Sequence, residues 1–198
     1  MRKRILICTR NTGKFNEYQR LFRFLPVDIV GPMDVGIVGD VQETGKSFEE
    51  NAILKASWYA QNSDLTIIAD DSGLEVDALD GRPGIYSARY GGSNLTDEDR
   101  TNLLLTELID VPGWKRGAQF RSVIALIQED NLTISEGKVR GAIAHQAIGD
   151  NGFGYDPVFW ISERAKTYAQ MSGEDKDAIG HRGIAVRKIL PELQKSML

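Results

Sequence analysis

Ile5-Leu6-Ile7-Cys8 is a wholly apolar run, followed by a polar turn and then Phe15, Tyr18, Leu21, Phe22 and Leu25 at helical spacing. A short strand with no polar face must be covered on both sides, and a helix directly after it is the usual cover. A second buried strand, Leu65-Thr66-Ile67-Ile68-Ala69, runs into Asp70-Asp71-Ser72-Gly73. Between the two, Ser47 with Glu50 has the form of a capping box, and the stretch after it lacks Gly and Pro, so a helix is predicted over about 48–62. Strands that alternate with helices in this way fix the class as α/β.

The second half differs. Thr96 with Asp99 caps a helix predicted to reach about Leu108, whereas Phe120–Gln128 and Leu132–Ala144 read as strands joined across Glu129-Asp130-Asn131. So short a link forces an antiparallel pair, and the sheet is therefore expected to be long and mixed, flanked by helices. Ser172 with Asp175 starts a helical stretch predicted to run past Arg187, with Gly180 and Gly183 weakening its first turns. No repeat, linker or low-complexity tract divides the 198 residues, so one domain is expected over 1–198.

Composition removes several classes of function. With 24 basic and 28 acidic residues the net charge is -4, which offers no broad field for a nucleic-acid polymer. No apolar run approaches a membrane span, and Met1-Arg2-Lys3-Arg4 leads into a run too short for a signal peptide. A single cysteine excludes an internal disulfide and fits a reducing, cytoplasmic setting. Zinc is equally unpromising, with His145 and His181 far apart in sequence.

Several segments carry chemistry. Thr9-Arg10-Asn11-Thr12-Gly13-Lys14 lies between a strand and a helix, where amides and a helix N-terminus can hold phosphate; it lacks the glycine and hydroxyl pattern of a Walker A loop, and an ordinary turn is the alternative. Asp70, Asp71 and Asp77 crowd around a glycine, an oxygen-only set suited to magnesium or, alternatively, a solvated turn. Asp70 and Asp71 share one site only if the strand ends there, and Gly73 suggests that it does. Glu50 reads as the cap partner of Ser47, while Lys55 is placed either to reach phosphate or on the surface. Gly149–Pro157 packs three glycines with Phe153 and Tyr155, a design for stacking a base or for packing beneath a tight loop. His181-Arg182 is a donor-rich pair, although such residues on a helix are most often exposed.

Together and in this order, these segments closely resemble the inosine/xanthosine triphosphate pyrophosphatase family, from Ile5 to about Leu193. The specific parts are Thr9–Lys14, Glu43-Thr44-Gly45 with Ser47–Ala52, Ala69–Leu74, Gly84–Tyr90, Gly152–Pro157, and Lys176 with His181-Arg182-Gly183. The resemblance implies a homodimer of α/β subunits with a nucleotide-binding cleft. It also implies hydrolysis of ITP, dITP and XTP to the monophosphate and pyrophosphate, which cleanses the nucleotide pool. By the same resemblance, Thr9, Arg10, Asn11, Thr12, Gly13 and Lys14 hold the triphosphate, Asp71 is general base and metal ligand, Ser72 contacts substrate, and Lys55 lies near the phosphates. Phe153, Gly154, Tyr155, Asp156, Lys176, His181 and Arg182 form the nucleoside pocket, and Mg²⁺, or Mn²⁺, is held by Asp71 with Glu43 or Gln42.

Four positions depart from the family pattern. Arg10 stands in place of a glycine, Gln42 where a first glutamate precedes Glu43, Gln170 where glutamate is common, and Gly180 in place of a serine before His181. Gln42 offers a metal only a neutral oxygen. Independently of the resemblance, attack by water on a phosphoryl centre needs cationic neutralisation and a carboxylate to take a proton, and the chain carries both. A non-catalytic nucleotide sensor and a general phosphohydrolase are the two rival readings.

Overall fold

In the computed structural model, which describes residues 2–39, 41–129 and 131–195, the opening apolar run forms β1 (Lys3–Ile7), whose Ile5, Leu6 and Ile7 are buried. Asn11 then accepts the amide of Lys14 on its side chain at 2.9 Å and starts α1 (Thr12–Phe22). β1 pairs in parallel with β2 (Val27–Val30) on one side and β3 (Thr66–Val76) on the other. Parallel neighbours need crossovers, which α1 and α2 (Phe48–Ala60) lie in sequence to supply. Ser47 caps α2 by accepting the amide of Glu50, but Glu50 reaches back to the amide of Lys46 at 2.7 Å, one residue before the box pattern places it.

The sheet order is β2-β1-β3-β4-β5-β6-β7. β4 (Gly117–Gln128) and β5 (Asn131–Ile143) are neighbours joined through 129–130, too few residues for a crossover, so they run antiparallel. Glu129 takes the left-handed conformation at this turn, and Asp130 lies outside the described residues. β6 (Phe159–Ile161) and β7 (Lys166–Thr167) add antiparallel strands, completing a mixed sheet as expected. α3 (Asp97–Glu107) carries the full Thr96–Asp99 capping box.

Two expectations are corrected. β3 does not end at Gly73 but continues through Asp70-Asp71-Ser72-Gly73 to Val76. Carboxylates inside a buried strand are tolerated here because each has polar partners, described below. The helical stretch after Ser172 is broken at Gly180, whose backbone is extended, into α4 (Gly173–Ile179) and α5 (His181–Lys195).

The described chain divides into two compact units, each with its own core. The first comprises Met1–Asp71, Ser122–Gly137 and His181–Leu198 and buries Ile5, Ile7, Tyr18, Phe22, Ile68, Ile124, Val186 and Ile189 together. Within it α5 lies directly on β5: a Cβ at Gly137 would sit 2.0 Å from the His181 carbonyl oxygen and 2.7 Å from the Ala185 nitrogen. Glycine at 137 is what permits that approach. The second unit, Ser72–Arg121 and Lys138–Gly180, packs Leu74, Leu104, Leu108, Phe120, Phe159 and Tyr168. There the buried Arg116 donates to the carbonyls of Leu108, which caps α3, of Val111 in the turn beyond it and of Ala144 just after β5.

Candidate active site

Successive residues of a strand point to opposite faces, and the continuity of β3 therefore gives Asp70 and Asp71 separate surroundings within the first unit. Asp70 is fully enclosed. Its Oδ2 accepts from Arg182 Nε at 3.0 Å, from Arg182 Nη2 at 2.8 Å and from Ser122 Oγ at 3.3 Å, and Lys14 Nζ lies 3.1 Å from Oδ1. Burial works against the carboxylate, but Arg182, Lys14 and Lys55 outweigh it and hold Asp70 well below the usual carboxylate range.

Arg182 also pairs through Nη1 with Glu17, one helical turn from Lys14 on α1. Burial opposes the guanidinium charge, yet Asp70 and Glu17 raise its pKa further. Glu17 and Arg182 are 3% and 2% exposed, so this is a buried, charge-balanced cluster rather than the exposed helix face that such residues usually occupy. Truncating Arg182 takes the guanidinium from two enclosed carboxylates at once. Arg182→Ala is expected to lower unfolding stability by about 3–5 kcal/mol, because Glu17 loses this ion pair and Asp70 keeps only Lys14 and Ser122 of the partners described above. Denaturant titration checks this, and a loss too small to measure would show that water enters and solvates both.

On the other face, Asp71 Oδ2 accepts from Asn51 Nδ2 at 2.9 Å. Burial raises the Asp71 pKa and Glu43 adds to the rise, against the pull of Lys14, Lys55 and the Asn51 hydrogen bond. Lys55, one turn beyond Asn51 on α2, donates to the Asp70 carbonyl at 2.9 Å and pairs with Glu43. Burial disfavours its charge, but Glu43, Asp71 and Asp70 carry its pKa upward. Lys14 shifts the other way: burial leads, Lys55 and Arg182 add to it, and Asp70 and Asp71 only partly compensate. Two cations thus stand beside two carboxylates of unlike basicity.

In the Thr9–Lys14 loop, Thr9 Oγ1 accepts the Asn11 amide at 3.2 Å, and Asn11 caps the helix that Lys14 enters. Arg10, exposed, donates to the carbonyls of Val38 and Gly39, so the residue that departs from the family pattern ties this loop to the next one. Gln42 is exposed and Glu43 half-buried.

The second unit groups the remaining residues. Asp156 Oδ2 accepts the Phe153 amide at 3.0 Å and pairs with Lys176, whose Nζ lies 4.8 Å from the Phe153 ring centre and 5.4 Å from that of Tyr168. Gly152 has a positive φ, and a Cβ there would fall 2.0 Å from Asp156 Oδ2. Gly154 is held at its amide by Asp97, and Tyr155 donates its hydroxyl to the Ser87 carbonyl at 3.0 Å. Ser72 begins this unit and is half-buried, whereas His181 and Arg182 belong to the first.

Sequence reading did not single out Glu17 or Ser122, and it included Asn51 only as part of the Ser47–Ala52 segment, with no role of its own. Glu17 had a signal in its helical spacing from Lys14, and Ser122 in being a lone polar residue inside an apolar strand.

The Ham1 family profile matches residues 5–192. The chain belongs to the Ham1 family. A dITP/XTP pyrophosphatase of Thermoanaerobacter sp. (strain X514) is 44% identical over 186 residues, covering 94% of each chain. One of Photorhabdus laumondii is 43% identical over 197 residues, covering 98% of this chain and all of its own. Among solved structures, the Ham1 protein of Staphylococcus aureus superposes with a TM-score of 0.85 at 43% identity, covering 98% of this Ham1 chain and 100% of that one. The fold is therefore that of Ham1 proteins, with the Lys14, Lys55, Asp70 and Asp71 cluster built into its first unit.

Proposed function

We propose that this Ham1 family chain hydrolyses dITP and XTP, and ITP with them, to the nucleoside monophosphate and pyrophosphate. The observation that carries the reading is the Asp71 carboxylate, raised in pKa and flanked by Lys14 and Lys55, in a chain closely related to dITP/XTP pyrophosphatases. Such a carboxylate is suited to accept the proton of an attacking water, while the lysines balance triphosphate charge. Water oxygen bonds to the α-phosphorus, the bond to the bridging oxygen breaks, and pyrophosphate leaves. Thr9, Arg10, Asn11, Thr12 and Gly13 line the triphosphate with Lys14. The family resemblance assigns Phe153, Gly154, Tyr155, Asp156, Lys176, Ser72, His181 and Arg182 to the nucleoside; of these, Arg182 is already paired with Asp70 and Glu17.

Among the described residues no group of three or more His, Cys, Asp or Glu is arranged to hold a metal unaided. Glu43 and Asp71 are all-oxygen donors close enough for the charge of one to raise the pKa of the other, and Lys55 pairs with Glu43. Two carboxylates and no softer donor fit magnesium, or manganese in its place, and Glu43 and Asp71 would hold it there. Bound there, the ion would neutralise charge on the triphosphate. Gln42 is a weaker candidate, since its amide oxygen is uncharged. With dITP and Mg²⁺, pyrophosphate rather than phosphate should appear, and excess chelator should stop the reaction. Phosphate as product would favour the general phosphohydrolase, undiminished turnover in chelator would remove the metal, and binding without turnover would favour the sensor.

The 198 residues are taken to act as one catalytic domain in a homodimer, as the family resemblance implies. Light scattering at micromolar concentration should give the mass of two chains; the mass of one overturns this assignment. A cytoplasmic enzyme is the reading that fits a lone, buried cysteine and, among the described residues, no helix long and apolar enough to cross a membrane.

A further inference from the structure

Asn51 has no exposed surface, and its side-chain amide bridges two segments. Oδ1 accepts the Gly45 amide at 2.8 Å, and Nδ2 donates to Asp71 Oδ2 at 2.9 Å. The partners dictate this orientation. A backbone N–H can only donate and an ionised carboxylate can only accept, so turning the amide over would set donor against donor and acceptor against acceptor. The approach is close enough that a Cβ at Gly45 would lie 2.6 Å from Asn51 Oδ1 and 2.9 Å from the Asn51 nitrogen. The same short loop carries Glu43, which pairs with Lys55 on the same side of α2.

We propose that Asn51 is a positioning residue for hydrolysis, one that fixes the plane of the Asp71 carboxylate and locks it to the Glu43–Gly45 loop. The torsion that turns an aspartate carboxylate is broad and two-fold, so without a fixed donor the group meets water in many orientations. A buried donor anchored at its other end by a backbone amide selects one of them. This inference rests on the reading of Asp71 as general base.

Two variants separate the donor from the shape. Asn51→Asp keeps the size and the acceptor for Gly45 but replaces the donor facing Asp71, and Asn51→Ala removes both. In steady-state dITP hydrolysis followed by pyrophosphate release, each is expected to lose roughly 10²-fold in kcat, with KM for dITP changed no more than a few-fold. A role confined to supporting the loop would leave Asn51→Asp close to the wild-type rate, and that result overturns the proposal. So does a rise in KM that matches the loss of kcat. Should Asn51→Asp fail to fold by circular dichroism, Gly45→Ala decides: its Cβ presses on Asn51 Oδ1 and parts the loop from it while leaving Asn51 and Asp71 chemically unchanged, and an unchanged kcat would refute the coupling. Asp71→Asn, assayed alongside, keeps the two readings apart. Turnover in Asp71→Asn refutes Asp71 as base, whereas an inactive Asp71→Asn beside a fully active Asn51→Asp refutes the positioning role alone.

Discussion

Asp71→Asn is expected to lower kcat for dITP by roughly 10²–10⁴-fold, the range that a positioned general base contributes, and to leave nucleotide binding nearly intact. The introduced amide has the same size and still presents an oxygen to Asn51, so the packing around β3 is preserved. What it lacks is a lone pair basic enough to hold a water proton. Burial has already raised the Asp71 carboxyl pKa, which makes it a better proton acceptor than an exposed aspartate. Single-turnover rates and equilibrium dITP binding separate the two effects. A variant turning over within a few-fold of wild type would assign proton transfer elsewhere.

The second large effect is expected in base choice. Hypoxanthine and xanthine present a 6-keto oxygen, an acceptor, where adenine presents an amino donor. Lys176, 5% exposed and paired with Asp156 beneath the Phe153 ring, has donors only. Placed against a purine edge, it complements the keto group and opposes the amino group. Sites that read a substrate through buried hydrogen bonds can reject a mismatched analogue by roughly 10⁴-fold. The expected kcat/KM order is dITP or XTP first, GTP well below through its 2-amino group, and ATP last. Lys176→Met should narrow the ratio of dITP to ATP. It takes the cation from one buried carboxylate, Asp156, whereas Arg182→Ala takes it from two, Asp70 and Glu17. Equal hydrolysis of ATP and dITP by the wild type would show that these donors do not read the base.

Local chemistry made much of the fold legible. The cap at Ser47, the box at Thr96 with Asp99 and the apolar run of β1 are signals confined to a few neighbouring residues, and each marks the element it should. The path of β3 was not legible for the converse reason. Asp70-Asp71-Ser72-Gly73 looks like a strand end when its neighbours alone are considered, but the groups that stabilise Asp70 inside the sheet come from Lys14, Ser122 and Arg182. Such pairing leaves no periodic trace. β2, β6 and β7 escaped notice because strands of four, three and two residues are too short to show alternation. In the site, residue types alone left Lys14, Lys55 and Asp71 open to ordinary structural readings and the family resemblance supplied their roles, whereas Glu17 and the bridging contacts of Asn51 come from the geometry of α1 and α2.

The four-residue interval between Asn51 and Lys55 has a consequence for how the chain tolerates changes of length. A helix works as a ruler: these two side chains are spaced by a rise of about 6 Å on one face, a distance set by the backbone repeat rather than by either residue's own contacts. An insertion or deletion of a single residue between them would swing every later position by about 100°. Lys55 would turn away from Glu43 and the Asp70 carbonyl, and the two functional groups could no longer serve the same stretch of β3. Length variation is better absorbed beyond Ala60, where the helix has ended and a turn leads into β3, than anywhere within that interval.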